Sequence, residues 1–315
     1  VDPSPRDALI MNSLQYDVSV GPEPFDGAAE ALNVDVDDIL RGARRLKEGG
    51  AVRRFGVSFN SMALGGAAAL VLAAVPPDRA LDYARIISSS GRSKHSYVRS
   101  FPGYNLWFTY RAASADALRK DVDGVLSSLG VDDRVVLATS RTYKLSVKYD
   151  LERGTSWSPP GILRADPPTL GELGVTREIA RRLEDLPISR RPFRELAASV
   201  GDTEEGLLDL VEGLLEKGVV ADFGAILEPG AVGIRRNAVV MGRGGGPECE
   251  ALSREVPEAT HVVLREPLDG HWDLRAYFVV HARDGARVES IVERAARLAG
   301  IDEYKIAYGE GGFTV

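Results

Sequence analysis

The sequence predicts an α+β protein made by tandem duplication, each half a winged helix-turn-helix followed by a ferredoxin-like βαββαβ unit. Three observations predict it. Residues recur between the halves at one constant spacing: Phe25, Gly50, Phe55, Gly56 and Gly65 answer Phe193, Gly218, Phe223, Gly224 and Gly233. Apolar residues fall at helical spacing in some segments and in strand-type runs in others, in the same order in both halves. Between the halves, 151–172 is rich in Pro, Gly and Ser and reads as a linker.

The elements follow in order. DALIMNSL and then 27–48 carry an apolar helical stripe, Ala28, Leu32, Val36, Ile39, Leu40, Ala43 and Leu46, broken at Asn33–Asp35 and stopped by Gly49 and Gly50. AVRRFGVSFN reads as the wing strand, which completes a helix–helix–turn–helix–wing unit over 1–60. Over 61–150 come a strand (AAALVLAAV), a helix (PDRALDYARIISSS), a hairpin (HSYVRSF with YNLWFTYRA), a helix (ADALRKDVDGVLSSL) and a strand (VVLATSRTYKL). That βαββαβ order is ferredoxin-like. The second half repeats it, with a winged unit over 173–228 and a βαββαβ unit over 229–315. In the latter, a helix at 246–256, a hairpin at 260–281, a helix at 284–299 and a closing strand at 303–308 are expected. KHSYVR aligns with THVVLR, and near the ends TYKL (142–145) aligns with EYKI (303–306).

Composition narrows the function. With 315 residues, 44% apolar and 27% charged, the chain is of globular type and long enough for two cores. Its longest apolar run, GGAAALVLAAV, is too short to span a bilayer, and no secretory signal opens the sequence. The single cysteine, Cys249, cannot form an internal disulfide, so a cytoplasmic protein without a membrane partner is expected. A DNA duplex is not expected as a partner, although the winged-helix arrangement resembles that of the feast/famine regulators. The first candidate recognition helix opens with Asp35, Asp37 and Asp38. The second carries Asp202, Glu204, Glu205, Asp209, Glu212 and Glu216 against Lys217. Such helices repel phosphates.

Positive charge gathers on the predicted sheets instead, at Arg53, Arg54, Arg92, Lys94, Arg99, Arg111, Arg141, Lys144 and Lys148, and again at Arg235, Arg236, Arg254, Arg265, Arg275 and Lys305. In the strand KHSYVR, His95, Tyr97 and Arg99 share one face while Lys94, Ser96 and Val98 share the other. His261 and Arg265 repeat His95 and Arg99, which sets them apart from basic residues that merely keep sheet edges soluble. Guanidinium groups clamp carboxylates and aromatic rings pack on flat surfaces, so a large, flat, polycarboxylated ligand suits the mixture.

HSYVR followed by YNLWFT, RRFG after the winged helix, and the closing RTYKLSVKYDL resemble the sirohaem decarboxylase family in its fused, two-subunit form. The second half keeps His261 and Arg265 but has Val263 in place of the tyrosine, and WDLRAYF stands where the first half has YNLWFTY. The resemblance implies non-oxidative removal of two acetate carboxyl groups from sirohaem, giving didecarboxysirohaem on a route to haem d1 or haem b. No cofactor is implied beyond the iron tetrapyrrole substrate. On this reading His95 is a general acid, His261 a second essential histidine and Tyr97 an auxiliary hydrogen-bonding or acid group. Arg99, Arg265, Arg53, Arg54 and Lys144 bind substrate carboxylates, with only one of the adjacent Arg53 and Arg54 able to face a given side. Tyr104 and Trp107 wall the pocket, with sheet core as the alternative for Trp107. His271 is a further candidate, and His281 is assigned to the surface. His95 or His261 could instead be an axial ligand to the substrate iron. The runner-up is then a haem- or tetrapyrrole-binding regulator of the feast/famine type, or a decarboxylase of another iron tetrapyrrole. The two halves are expected to pair as a pseudo-dimer, open to further homo-oligomerisation.

Overall fold

The computed structural model describes residues 3–91, 93 and 95–314, so Arg92 and Lys94 of the first hairpin lie outside the described residues. In the first half, α1 (Pro5–Tyr16), α2 (Asp26–Leu32) and α3 (Val36–Glu48) precede β1 (Val52–Phe59). Ser4 caps α1 with Pro5 at its first position, and Asp35 caps α3. Asn33 makes the break between α2 and α3 in the left-handed conformation, φ 51°. Then come β2 (Ala67–Ala73), α4 (Ala80–Ser89), β3 (His95–Arg99), β4 (Leu106–Ala112), α5 (Ala115–Ser128) and β5 (Arg134–Leu145).

Residues 151–172 do more than tether. A short ribbon, β6 (Tyr149–Asp150) and β7 (Thr155–Ser156), begins the crossing. Backbone bonds from Ser158 to Pro257 and Gly161 to Ser253 then pin it against the second half, and one from Leu163 to Tyr143 ties it to β5 of the first. The second half runs α6 (Arg177–Glu184), α7 (Pro192–Val200), α8 (Glu204–Glu216), β8 (Val220–Leu227), β9 (Arg236–Gly242), α9 (Gly246–Glu255), β10 (His261–Pro267), β11 (Ala276–Ala282), α10 (Gly285–Ala299) and β12 (Tyr304–Thr314). Among the described residues, no helix is long and apolar enough to cross a membrane.

The strand after each third helix does not fold back as a separate wing. β1 pairs antiparallel with β8, Gly56 opposite Gly224, and the helices of both units share one apolar core. Its centre is a chain of rings: Phe25 stacks on Phe55 at 4.6 Å, Phe55 meets Phe223 edge-on at 5.3 Å, and Phe223 lies parallel to Phe193 at 6.3 Å. Each aromatic pair adds roughly 0.5–1.5 kcal/mol beyond the burial of its surface. Each unit is thus half of one winged-helix layer.

The larger sheet closes on itself. Its order is β5-β2-β4-β3-β12-β9-β11-β10, and β10 pairs with β5 again, so eight antiparallel strands form a barrel. Two seams join the halves, β3 with β12 and β10 with β5, related by a pseudo-twofold axis along the barrel. Side-chain alternation sorts the residues. Val71, Leu106 and Phe108 face α4 and α5, and Val240, Val262 and Phe278 face α9 and α10. Leu70, Leu72, Trp107, Leu137, Met241, Val263 and Tyr277 point inward and pack on one another from both halves.

Strand register revises two expectations. β2 sets Leu70 opposite Leu137 and β9 sets Val239 opposite Ala307, so Ala307 is the counterpart of Leu137. EYKI therefore opens β12 and does not match TYKL, which ends β5. The closing strand also runs on to Thr314, through the glycines 309, 311 and 312. Glycine weakens a strand when considered alone, but here the run follows β3 closely. A Cβ on Gly312 would lie 2.3 Å from Tyr97 Cδ1 and 2.4 Å from the Ser96 carbonyl oxygen, so only glycine fits.

Gly56 offers a direct test of the shared layer. It has φ 156°, and a Cβ there would sit 2.2 Å from the Leu183 carbonyl oxygen. Gly56→Ala is expected to lower stability by roughly 2–4 kcal/mol, read from the denaturant midpoint. Gly124→Ala, in the open face of α5 with no atom near its Cβ, is expected to raise stability by up to about 1 kcal/mol.

Candidate functional site

The two ends of the barrel interior differ in chemistry. At one end, Phe101, Trp107, Trp272, Leu274 and Tyr277 form an apolar plug. The other end holds the starts of β3, β10, β2 and β9 and the ends of β4 and β11, and β1 and β8 lead directly into it. The winged-helix layer therefore lies over this polar end. Tyr149 of the layer's core meets the His281 ring edge-on at 5.6 Å, and Ser61 bonds Thr142 at 2.7 Å.

β3 delivers three of the residues singled out in the sequence. His95 lies at the exposed rim, with its ring parallel to that of Tyr97 at 6.3 Å. The Arg99 guanidinium sits over Tyr97, 5.0 Å from its centroid, and is buried. β10 delivers His261 and Arg265 to the same interior from the opposite wall, with Arg265 5.4 Å from the centroid of Tyr277. His261 and Arg265 lie deep within the protein, yet each keeps part of its surface open to the barrel interior.

The electrostatics are those of an uncompensated cationic interior. Among the described residues no carboxylate bridges Arg99 or Arg265, and the Nε–H of each is buried without an acceptor. Arg99 Nη1 instead donates to Asn237 Oδ1 at 2.8 Å and to the carbonyls of Ala307 and Asn237. Arg265 Nη1 donates to Thr139 Oγ1 at 3.1 Å and to the Leu137 carbonyl. Burial pulls both guanidiniums down to about 10, which still leaves them charged at neutral pH. His261 is lowered to about 4, first by burial and then by the nearby His95 and Arg265, so it is neutral near pH 7. His281 is lowered to about 3 by burial, His261 and Arg99.

The remaining candidates are dispersed. Arg53, from β1, pairs with Glu228 at 3.7 Å and is near enough to Tyr149 to influence its hydroxyl, which places it at the layer above the rim. Arg54 points the other way and pairs with Glu184 at 2.9 Å. Lys144 is on the helix side of β5, not in the barrel. Two bulges interrupt β5 against β10, with Ser140 and Tyr143 as the extra residues, and Lys144 ends opposite Val262, which faces the helices. Lys144 Nζ faces the carbonyls of Ser158 and Val256, and burial lowers it to about 8 despite Glu258. Trp107 is core within the plug, 2% exposed, its Nε1 donating to the Tyr104 carbonyl. Tyr104, at the plug end, bonds Asp133.

Of the two histidines outside the repeat, His281 is not at the surface and His271 lies away from the polar end. His271 is at the plug end, its side chain 87% exposed and paired with Asp273 at 2.8 Å. His281, assigned to the surface, is buried inside the polar end and bonded to Asn237 at 2.9 Å. Strand register makes Arg111 its counterpart, so a search for a matching histidine misses it. Asn237 and Thr139 escape the sequence for a similar reason, and Arg111 is named there only as a sheet cation: their roles depend on pairing across the barrel. Arg111 donates to the carbonyls of Ser61 and Gly65, which anchors the layer to the barrel. Among the described residues no cluster of His, Cys, Asp and Glu could hold a metal ion.

Two inward-facing arginines thus lie beneath the helical layer, in a closed barrel to which each half contributes four strands. The "AsnC-like ligand binding domain" model matches residues 63–144 and 231–313, together more than half of the chain, so the protein belongs to that family. Residues 178–220 match the "Siroheme decarboxylase NirDL-like HTH domain". The chain is 25% identical over 300 residues to the siroheme decarboxylase NirDL subunit of Paracoccus pantotrophus, covering 93% of this chain and 89% of that one. It is 24% identical over 312 residues to the siroheme decarboxylase of Hydrogenobacter thermophilus, covering 96% and 91%. A crystal structure of siroheme decarboxylase NirDL in complex with an iron-uroporphyrin III analogue superposes with a TM-score of 0.63 at 21% identity, covering 96% of this chain and 90% of that one. The chain resembles the sirohaem decarboxylases along nearly its whole length.

The two depressed histidines carry a pH signature. Each binds its proton more weakly folded than unfolded, so stability is complete above about pH 6.5 and falls as the pH drops toward about 4. The expected slope is up to about 1.4 kcal/mol per pH unit for each histidine. Denaturant midpoints measured from pH 7.5 to 4.5 check this, and His281→Gln is expected to flatten the profile.

Proposed function

We propose that the protein is a sirohaem decarboxylase that removes two acetate carboxyl groups without redox change and without an added cofactor. The observation that carries this reading is the pair of guanidiniums on opposite walls, Arg99 and Arg265, each with a buried Nε–H that lacks an acceptor and no bridging protein carboxylate, with His261 beside Arg265 and His95 at the rim. Such an interior is incomplete until an anion enters it. A flat iron tetrapyrrole bearing many carboxylates supplies both the charge and the ring surface for Tyr97. The near full-length likeness to curated sirohaem decarboxylases supports the same substrate.

The chemistry asked of the protein is limited. When the bond between an acetate methylene and its carboxylate breaks, carbon dioxide leaves and the electron pair stays on the methylene carbon, in conjugation with the macrocycle. One proton then completes a methyl group, so two decarboxylations consume two protons. His95, at the rim and in contact with solvent, can deliver and reload that proton. His261 is held neutral by burial, and the negative charge of bound carboxylates would favour its protonation. Arg99 and Arg265 hold carboxylates in register, which fixes the reacting group against the donor. Arg53, paired with Glu228 in the winged-helix layer, is a further candidate for a substrate carboxylate.

The element order supports descent of each half from one winged helix-turn-helix and ferredoxin-like unit, with the barrel as their pseudo-dimer. Duplex DNA is not proposed as a partner, because α3 and α8 begin with acidic turns at Asp37 and Asp38 and at Glu204 and Glu205.

Anaerobic incubation with sirohaem, followed by mass analysis, is expected to show loss of two carboxyl groups. His95→Ala is expected to bind sirohaem but to turn it over at least about 100-fold more slowly. Collapse of both binding and the iron spectrum in that variant would assign His95 to iron ligation. Unchanged substrate mass with clean binding by the wild type would reject the enzyme in favour of a sensor.

A further inference from the structure

We infer that Asn237, held from behind by His281, is a positioning residue that turns the Nε edge of Arg99 toward a substrate carboxylate. The inference deepens the proposed sirohaem site and rests on that reading. Arg99 can only donate, so the Asn237 amide must present Oδ1 to Nη1 at 2.8 Å. The amide nitrogen then faces His281 Nε2 at 2.9 Å and donates to it, because the flipped amide would set two donors against each other at Arg99. His281 is thereby held as an acceptor at Nε2, with its proton on Nδ1. The orientation of one amide settles both neighbours.

With Nη1 occupied by Asn237 and Ala307, the guanidinium cannot rotate to offer its end-on pair of Nη groups. What it keeps for a ligand is the side edge, Nε with Nη2, a fork that matches a carboxylate. The buried, unpaired Nε of Arg99 lies on that edge. The opposite seam makes the same choice with other residues. Arg265 Nη1 is taken by Thr139 and the Leu137 carbonyl, and its Nε is likewise buried without an acceptor. Register makes Gly309 the counterpart of Thr139, since Gly309 faces Arg99 as Thr139 faces Arg265. Asn237 thus replaces, from the neighbouring strand, an anchor that glycine cannot provide. It serves the seam where Tyr97 lies against Gly312.

The test measures binding of two probes, iron uroporphyrin III with its eight carboxylates and iron protoporphyrin IX with two. Asn237→Ala is expected to weaken iron uroporphyrin binding about tenfold relative to iron protoporphyrin, the effect of freeing one charge-assisted contact. His281→Leu is expected to reproduce part of this loss, and His281→Gln, which keeps an acceptor for Asn237, to recover most of it. Equal weakening of both probes by Asn237→Ala, or a His281→Gln variant that binds normally but no longer turns over sirohaem, would overturn the inference. Failure of the wild type to bind iron uroporphyrin at all would instead overturn the tetrapyrrole reading. Thermal unfolding of each variant separates loss of folding from loss of binding. Should Asn237→Ala not fold, the contrast between His281→Leu and His281→Gln decides, and equal binding of iron uroporphyrin by those two variants overturns the inference.

Discussion

Closure of the barrel is the constraint on which the rest depends. If β3 did not pair with β12, and β10 with β5, each half would carry an open sheet with a histidine and an arginine on a wet face. Pairing turns those faces inward and removes water from around two guanidinium groups. An uncompensated buried charge costs several kcal/mol, and carbonyl and amide oxygens on one nitrogen of each group offset only part of it. That deficit is what the proposed reading rests on, because a substrate carboxylate on the Nε edges would offset it.

The duplication gives the barrel its symmetry, and divergence has made its two seams unequal. One seam has Tyr97, Asn237, His281 and glycines along β12. At the equivalent places the other has Val263, Ala68, Arg111 and the threonines of β5. The first seam keeps an aromatic surface and close backbone approach. The second is tied off by hydrogen bonds from Thr142 and Arg111 to the segment beneath the winged-helix layer. The layer itself no longer consists of two independent units. Its rings interleave about Gly56 and Gly224, so it serves as a lid on the barrel and links the halves a second time.

Alternation along β3 and recurrence of a histidine and an arginine were readable from residue order, because both follow from covalent spacing in a strand. The errors have a common physical origin. Lys144 is kept out of the interior because β5 breaks register with β10 twice, at Ser140 and at Tyr143, and the two breaks cancel. His281 entered because its neighbours come from β9 and the ribbon after β5, which no local pattern ties to β11. His271 lacked a repeat partner just as His281 did, and only the fold shows that one lies in the exposed β10–β11 connection while the other is buried at the opposite end of the barrel. The glycine run of β12 reads as a loop until its partner strand is known.

The sequence by itself determined the repeated helices and strands, their order and the face that His95, Tyr97 and Arg99 share, since hydrophobic period, caps and strand alternation act over a few residues. Tertiary structure alone decided that the two faces meet in one closed interior. It also decided that Asn237 and His281 stand behind Arg99, and that Lys144, Tyr104, Trp107 and His271 stand elsewhere. Those outcomes depend on register and closure between strands far apart in the chain, where one inserted residue changes which side chain is buried.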